Sequence, residues 1–170
     1  MKILALDVSI AQPGFAVLEV VEGEVKVIEL SYIKTNAKES HGFRLEQIAS
    51  EMRRILEDIE VNYIVRERGF SRHAQVTQAL YKVMGVTELV AHEDSFKGVV
   101  DISVTTVKKQ VTGNGKAGKE EVAECVFEQV DIPSENFYEK KRNGRMVLVD
   151  DLTDACAVGI AFLRQEGYIE

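Results

Sequence analysis

The chain has 170 residues, of which 45% are hydrophobic, and its formal net charge is −7. This size and apolar content suit a single domain, residues 1–170, that buries a core without disulfides or a structural metal. Cys125 and Cys156 lie far apart and outside any ligand-spaced motif, and Asp7 interrupts the first apolar run, so we expect a reduced, cytoplasmic protein with no membrane span.

The chain opens with an apolar run that ends in a carboxylate. Ile3 to Leu6 predict a buried strand, and Asp7 follows at its carboxyl end, which is where functional crevices open in sheets with parallel strands. Taken alone, Asp7 is more typical of a turn that leads into Val8-Ser9. A functional role therefore depends on whether other carboxylates meet it.

The next segments predict a meander followed by a helix. Gly14 to Val21 form a second strand pattern, and Glu22-Gly23-Glu24 predict a turn into a third strand at Val25 to Ile33. Short turns between these strands indicate antiparallel pairing. From Ser40 to Ile59 apolar residues recur at helical spacing, which predicts an amphipathic helix.

A second acid follows the next strand pattern. Asn62 to Val65 predict a short strand, and the charged residues Arg66-Glu67-Arg68 come directly after it. A helix between two strands implies a crossover, and hence a parallel neighbour in the sheet. If that neighbour is the first strand, Glu67 lies at the same end of the sheet as Asp7.

The second half of the chain predicts helices around one further strand. Val76 and Val83 belong to the stripe that predicts the packed side of the first helix. The segment from Thr105 to Val111 fits a helix or a strand equally well. We predict, in order, a helix at His73 to Val90, a strand at Val99 to Ser103, a helix at Lys119 to Val130, a polar and mobile connection at Glu135 to Arg145, and a helix at Asp150 to Arg164.

The last helix begins with a pair of acids, Asp151 and Asp154. Residues three apart share a helix face, so both carboxylates point the same way. They fit simple stabilisation of a helix N-terminus. They also fit a cluster with Asp7 and Glu67, and four carboxylates repel one another unless cations neutralise them. Magnesium or manganese suits such oxygen-rich clusters, and two such ions support phosphodiester hydrolysis.

Two basic segments interrupt the acidic composition. Residues 105–119 and residues 140–149 each contain four basic residues and no acid. This pattern favours a polyanion on one face, although solvated loops give it too. The lysines of the first segment, which we take as DNA-binding candidates, are Lys108, Lys109, Lys116 and Lys119.

The glycine-rich stretch Gly113 to Glu120 matches the spacing of a phosphate-binding P-loop. Glu120 stands where that loop needs a serine or threonine hydroxyl to hold magnesium. A carboxylate there would also repel a triphosphate. We therefore interpret the stretch as a turn that displays Lys116 and Lys119 toward a phosphate backbone.

In combination these blocks resemble the RuvC Holliday-junction resolvases, a family of RNase H-like nucleases. The resemblance implies an α/β fold with a five-stranded mixed sheet, antiparallel in its first three strands and flanked by helices. It also implies a homodimer that cuts branched DNA such as four-way junctions. The matching blocks are Ile3 to Asp7 with Gly14 to Val17, Glu67 with Phe70, Val107-Lys108 with Gly113 to Gly115 and Lys119, and Asp151 to Ala155.

The same resemblance assigns roles to single residues. Phe70 would stack on a base or wedge the junction, although it also fits a hydrophobic anchor for its loop. Lys108 and Lys119 would contact DNA near the cut. The residues that would be catalytic and hold two magnesium or manganese ions are Asp7, Glu67, Asp151 and Asp154. Family members usually carry Asp-Pro-Gly at the first acid, whereas Val8-Ser9 follows Asp7 here, and the likeness looks closer to phage-encoded members.

Two other functions fit the same residues. A binding module would keep the basic face and use the acids structurally, so it would bind junctions in EDTA and leave them uncut when magnesium is added. An RNase H-like nuclease that processes RNA would share the acids. Comparing RNA hairpins, DNA forks and four-way junctions as substrates separates these possibilities.

Overall fold

A computed structural model describes residues 1–69, 73–96 and 98–170. It contains a five-stranded sheet whose strands are β1 (Lys2–Asp7), β2 (Gly14–Val21), β3 (Glu24–Tyr32), β4 (Tyr63–Arg68) and β5 (Val100–Ser103). The strand order is β3-β2-β1-β4-β5. Strands β1, β2 and β3 pair antiparallel, while β4 pairs parallel with β1 and with β5. The predicted mixed sheet is confirmed, including its antiparallel first three strands.

Helices cover both faces of the sheet. They are α1 (His41–Asp58), α2 (Ala74–Glu93), α3 (Val104–Thr112), α4 (Lys119–Gln129) and α5 (Asp150–Gln165). Helices α1 and α2 share one hydrophobic cluster with the sheet, and α3, α4 and α5 share another. The ambiguous segment after β5 is therefore helical. Within the described ranges, no helix is long and apolar enough to cross a membrane.

The alternation of side chains along β1 decides which face each residue serves. Leu4 and Leu6 belong to the cluster with α1 and α2, whereas Ile3 and Ala5 belong to the cluster with α5. Successive side chains on a strand point to opposite faces. Asp7 continues the odd-numbered set, so its position on the strand directs it toward the α5 side.

Helix α5 packs closely on the sheet because a glycine faces the strands. A Cβ atom on Gly159 would lie 2.5 Å from Leu18 Cδ1 and 3.2 Å from Ala5 Cβ, so a side chain there would displace its neighbours. Every α5 residue from Leu152 to Leu163 is buried except Asp154, which is partly exposed. Burial of this length of helix holds its first turn at a defined place on the sheet.

The connection predicted to be mobile at Glu135 to Arg145 is instead ordered, so that prediction was wrong. A short 3-10 helix at Ser134–Phe137 leads into a hairpin of β6 (Tyr138–Lys140) and β7 (Met146–Leu148). Phe137 is fully buried, and Glu139 accepts hydrogen bonds from Tyr32, the last residue of β3, and from Lys34 just beyond that strand. These long-range contacts order a segment whose local composition is polar.

Two further local predictions also differ from the structure. Val76 was expected on the packed side of its helix but is 47% exposed; Val83 and Val90 of the same helix are buried. Strand β4 extends to Arg68, so Glu67 lies inside the strand. The charged residues Arg66 to Arg68 continue the strand because the Arg66 side chain has buried hydrogen-bond acceptors.

Arg66 joins β4 to β5 and α2. Its side chain is 6% exposed. It donates from Nε to Asp101 Oδ1 at 2.6 Å, from Nη1 to the Met84 carbonyl and Thr87 Oγ1 at 2.8 Å each, and from Nη2 to Glu88 Oε2 at 3.1 Å. A buried guanidinium is tolerated only when it is paired and hydrogen-bonded in this way.

We expect Arg66→Ala to lower the free energy of unfolding by about 3 kcal/mol, because it leaves buried acceptors without their donor. Arg53→Ala is the matched control, since Arg53 pairs with Glu93 at 2.9 Å but its side chain is 36% exposed. That change should cost less than about 1 kcal/mol. Urea unfolding of both variants tests the difference, and equal losses would contradict it.

Candidate active site

Two parallel strands bring the first pair of acids together. Strands β1 and β4 are neighbours, and Leu6 pairs with Arg66 in their register. Asp7 and Glu67 are the next residues along each strand, so they lie at the same level and face the α5 side. The sequence prediction that both acids share one end of the sheet is consistent with this register.

The first turn of α5 lies against this end of the sheet. Gly14, the first residue of β2, pairs with Asp7. A Cβ atom on Gly14 would lie 2.0 Å from the backbone oxygen of Asp151, so only glycine permits this approach. Asp151 and Asp154 both interact electrostatically with Asp7, which places all four predicted acids in one neighbourhood.

The environment raises the pKa values of three of these carboxyl groups. Burial raises the pKa of Asp7 well above its usual range, and the charges of Asp154, Glu67 and Asp151 raise it further. Burial and the charge of Asp154 raise the pKa of Glu67 to about 7. Burial also raises the pKa of Asp154, although Lys119 opposes the shift. Each negative charge at this site therefore disfavours the others.

Lys119, the first residue of α4, supplies the compensating positive charge. Its Nζ lies 3.2 Å from Asp154 Oδ2 and 3.5 Å from Asp150 Oδ2. Burial alone would lower the pKa of Lys119, but the charge of Asp154 and a hydrogen bond to it, with Asp150 and Asp7, raise it. Lys119 is thus held at the site by the same carboxylates that repel one another.

The donor set suits a hard divalent cation. Carboxylate oxygens are the ligands that Mg²⁺ and Mn²⁺ prefer, and a cation would relieve the repulsion that adds to burial in raising the pKa of Asp7. Among the residues that the structure describes, no group of three acidic, histidine or cysteine side chains is already close enough to hold an ion. An ion held by these residues would therefore draw the carboxylates closer together.

Sequence and structural comparisons identify the family. The family model of the crossover junction endodeoxyribonuclease RuvC matches residues 3–161. The chain belongs to the RuvC family.

Individual relatives match over almost their whole length. RuvC of Ehrlichia canis is 30% identical over 161 residues, which are 94% of each chain. RuvC of Prochlorococcus marinus subsp. pastoris is 24% identical over 168 residues, 99% of each. A structure of Thermus thermophilus RuvC in complex with a Holliday junction substrate superimposes with a TM-score of 0.82 at 21% identity, covering 98% of this chain and 96% of that one.

RuvC membership confirms the resemblance drawn from the sequence, the RNase H-like fold, and the prediction of a metal-dependent endodeoxyribonuclease. The ligand residues, the identity of the metal and the number of ions stay predictions.

The predicted DNA-binding residues differ in their surroundings. Lys108 of α3 donates from Nζ to the Ala117 carbonyl at 2.6 Å and lowers the pKa of Glu67 electrostatically, so it ties the α3–α4 loop beside the acids. Lys109 and Lys116 are exposed. Phe70 lies outside the described residues.

Three residues at the site were missed by sequence reasoning. Asp150 shares Lys119 with Asp154, and its position next to Asp151 was the only available signal. Gln12 donates from Nε2 to Asp151 Oδ2 at 2.5 Å, and no local pattern predicts this contact. Gly14 was noted within a strand pattern, but its close contact with α5 depends on the packing of that helix.

We expect Gly14→Ala to reduce the rate of junction cleavage by about 100-fold or more, because the added methyl displaces Asp151 and small misplacements of this kind cost about 100-fold. Single-turnover cleavage at saturating protein measures the change. Gly42→Ala is the control, since a Cβ there would come no closer than 3.9 Å to Ser40 Oγ. A wild-type rate in the Gly14 variant would contradict the close-contact argument.

Proposed function

We propose that this chain resolves four-way DNA junctions by hydrolysing phosphodiester bonds, with Asp7, Glu67, Asp151 and Asp154 as ligands of two magnesium or manganese ions. The observation that supports this site most directly is the convergence of carboxyl groups with raised pKa values at one end of the sheet. A purely structural use of these acids is disfavoured, because their mutual repulsion destabilises the fold when no cation offsets it.

Each part of the site has a separate task in this proposal. Two bound metal ions would activate a water molecule, hold the scissile phosphate and stabilise the departing 3′ oxygen. Asp7 and Glu67 provide ligands from the rigid sheet, while Asp151 and Asp154 provide them from the first turn of α5. Lys119 neutralises part of the carboxylate charge when no ion is bound and, being 66% exposed, can reach a phosphate.

The distribution of charge supports DNA binding at this end of the molecule. The α3–α4 segment with its four lysines adjoins the acids. The β6–β7 hairpin contacts Tyr32, which lies at the same end of the sheet as Asp7 because both residues pair with Gly14. At the opposite end, a cavity of about 810 Å³ is lined by acids that include Glu22, Glu128 and Asp131. Such a separation orients a polyanion toward the carboxylate end.

We also propose that the chain acts as a homodimer through the outer face of α2. Tyr81 and Leu89 are 58% and 54% exposed, and Gly85 lies between them at helical spacing, with open space where a Cβ atom would lie. A two-fold interface uses the same surface patch on both subunits, so this one apolar face is enough to form a dimer. Two related sites then match the two-fold symmetry of a four-way junction.

The central test compares wild type with Asp7→Asn and Asp154→Asn on a mobile four-way junction, a fork and an RNA hairpin. With magnesium, the wild type should place symmetric nicks in the four-way junction. Both variants should lose cleavage by about 1,000-fold or more, because a neutral amide is a poor ligand for a hard cation, while they still bind the junction in EDTA. Preferred cutting of the RNA, or magnesium-dependent cutting by both variants, would overturn the assignment.

Asp7→Asn should also stabilise the metal-free protein. The folded-state pKa of Asp7 is raised above an unfolded value of about 3.9, so its stability cost is absent below that value and grows as pH rises toward the folded pKa. At pH 7 to 8 we expect Tm to rise by about 3 °C, and to change little near pH 4. Magnesium should raise Tm in the wild type and much less in the variant.

Lys116→Ala should weaken junction binding and reduce the slope of log affinity against log salt by about 1, because one phosphate contact is lost. Lys116 is exposed and takes no part in the ion pairs that the described residues form at the carboxylates, so single-turnover cleavage of bound junction should persist. Lys26→Ala, at the other end of the sheet, serves as the control. Salt-insensitive binding by the wild type would contradict the basic surface.

Leu89→Glu combined with Tyr81→Glu should convert a dimer to a monomer, because two-fold symmetry places four new carboxylates in one interface. Sedimentation equilibrium measures the mass directly. Met146→Glu is the control, since Met146 is also 50% exposed but lies on the hairpin. A monomeric wild type, or a dimer in the double variant, would count against this interface.

A further inference from the structure

The loop between β1 and β2 is anchored on its outer side by a buried arginine. Arg44 of α1 is 7% exposed and donates from Nη2 to the Ile10 carbonyl at 3.1 Å and from Nε to Thr35 Oγ1 at 2.8 Å. Thr35 donates from Oγ1 to the same Ile10 carbonyl at 2.5 Å, and from its backbone N–H to the Ala11 carbonyl at 2.9 Å. These bonds connect the loop to α1 and to the segment after β3.

The loop is also braced internally. Ser9 Oγ accepts hydrogen bonds from the backbone N–H groups of Ala11 at 3.2 Å and Gln12 at 3.3 Å. The Pro13 ring restricts the backbone that follows, and its carbonyl accepts from the Ile33 N–H at 3.3 Å. The backbone of Gln12 is therefore held on both sides, which defines the direction of its side chain.

The Gln12 side chain contacts one of the proposed ligands. Its Nε2 donates to Asp151 Oδ2 at 2.5 Å, across 139 residues of sequence. A carboxamide is neutral at every pH of interest, so it can orient a carboxylate without cancelling its charge. Lys119, in contrast, forms ion pairs with Asp150 and Asp154 and reduces the negative charge there.

We propose that Gln12 is a positioning residue for metal binding. Its amide fixes the orientation of the Asp151 carboxylate, and the Arg44–Thr35 contacts fix Gln12. This inference rests on the proposed function, because it takes Asp151 as a ligand. Hydrogen-bond partners of ligating carboxylates commonly contribute 10- to 100-fold in metal affinity or activity, which sets the size of the expected effect.

The test uses Gln12→Ala and Gln12→Met, since methionine keeps the length of the side chain but removes the donor. Isothermal titration of Mg²⁺ and Mn²⁺ into metal-free protein should show affinity reduced by about 10-fold in both variants. The magnesium concentration for half-maximal junction cleavage should rise by a similar factor, and the rate at saturating magnesium should largely recover. Metal-free Tm and junction binding in EDTA should stay at the wild-type values.

Gln47→Ala provides the matched control, because Gln47 is exposed on α1, which covers the other face of the sheet. It should leave metal affinity unchanged. The proposal would be overturned if Gln12→Met bound the ions with wild-type affinity, or if the wild type bound neither ion. It would also be overturned if the lower metal affinity of Gln12→Met came with a lower Tm of the metal-free protein, because a general loss of stability would then explain it. Wild-type metal binding that depends on Gln12, without cleavage of any branched DNA, would instead reject the proposed function and leave this inference standing.

Discussion

Repulsion among partly buried carboxylates is the constraint on which the functional end of this molecule depends. Burial raises the pKa of Asp7, and the charges of Asp154, Glu67 and Asp151 raise it further. Such an arrangement costs folding free energy unless a positive charge offsets it. Lys119 provides part of that charge within the chain, and a divalent cation would provide the remainder. The same repulsion thus explains the position of Lys119, and it leaves a negative charge with which a divalent cation would interact favourably.

The fold tolerates this repulsion because apolar packing holds the acids from both sides. Alternation along β1 and β4 places Asp7 and Glu67 on the α5 face, above the core residues Ile3, Ala5 and Val65. Glycines at two points let α5 approach the strands, with Gly14 next to Asp151 and Gly159 next to Leu18. The energy that positions the carboxylates therefore comes largely from the buried part of α5 beyond the turn that carries Asp151 and Asp154.

Hydrogen bonds orient side chains at the site that apolar packing does not hold in place. Gln12 contacts Asp151 from a loop anchored by Arg44, in a chain where Val8-Ser9 follows Asp7. On the other face of the sheet, Arg66, which directly precedes Glu67, joins β4 to β5 and α2. The acidic net charge of −7 is compatible with DNA binding because basic segments lie at the carboxylate end and an acidic cavity lies at the other.

The sequence by itself determined most of the strand and helix order, the mixed sheet and four candidate ligands, because these depend on local signals: strand periodicity before Asp7 and Glu67, and three-residue spacing between Asp151 and Asp154. It left residues 105–111 open between helix and strand. Tertiary structure alone decided the contact of Gln12 with Asp151, the need for glycine at position 14 and the pairing of Asp150 with Lys119. The ordered hairpin at β6 and β7 belongs to this second group. These features join residues that are distant in sequence, and their energies arise only when α5 packs on the sheet, so no local pattern carries them.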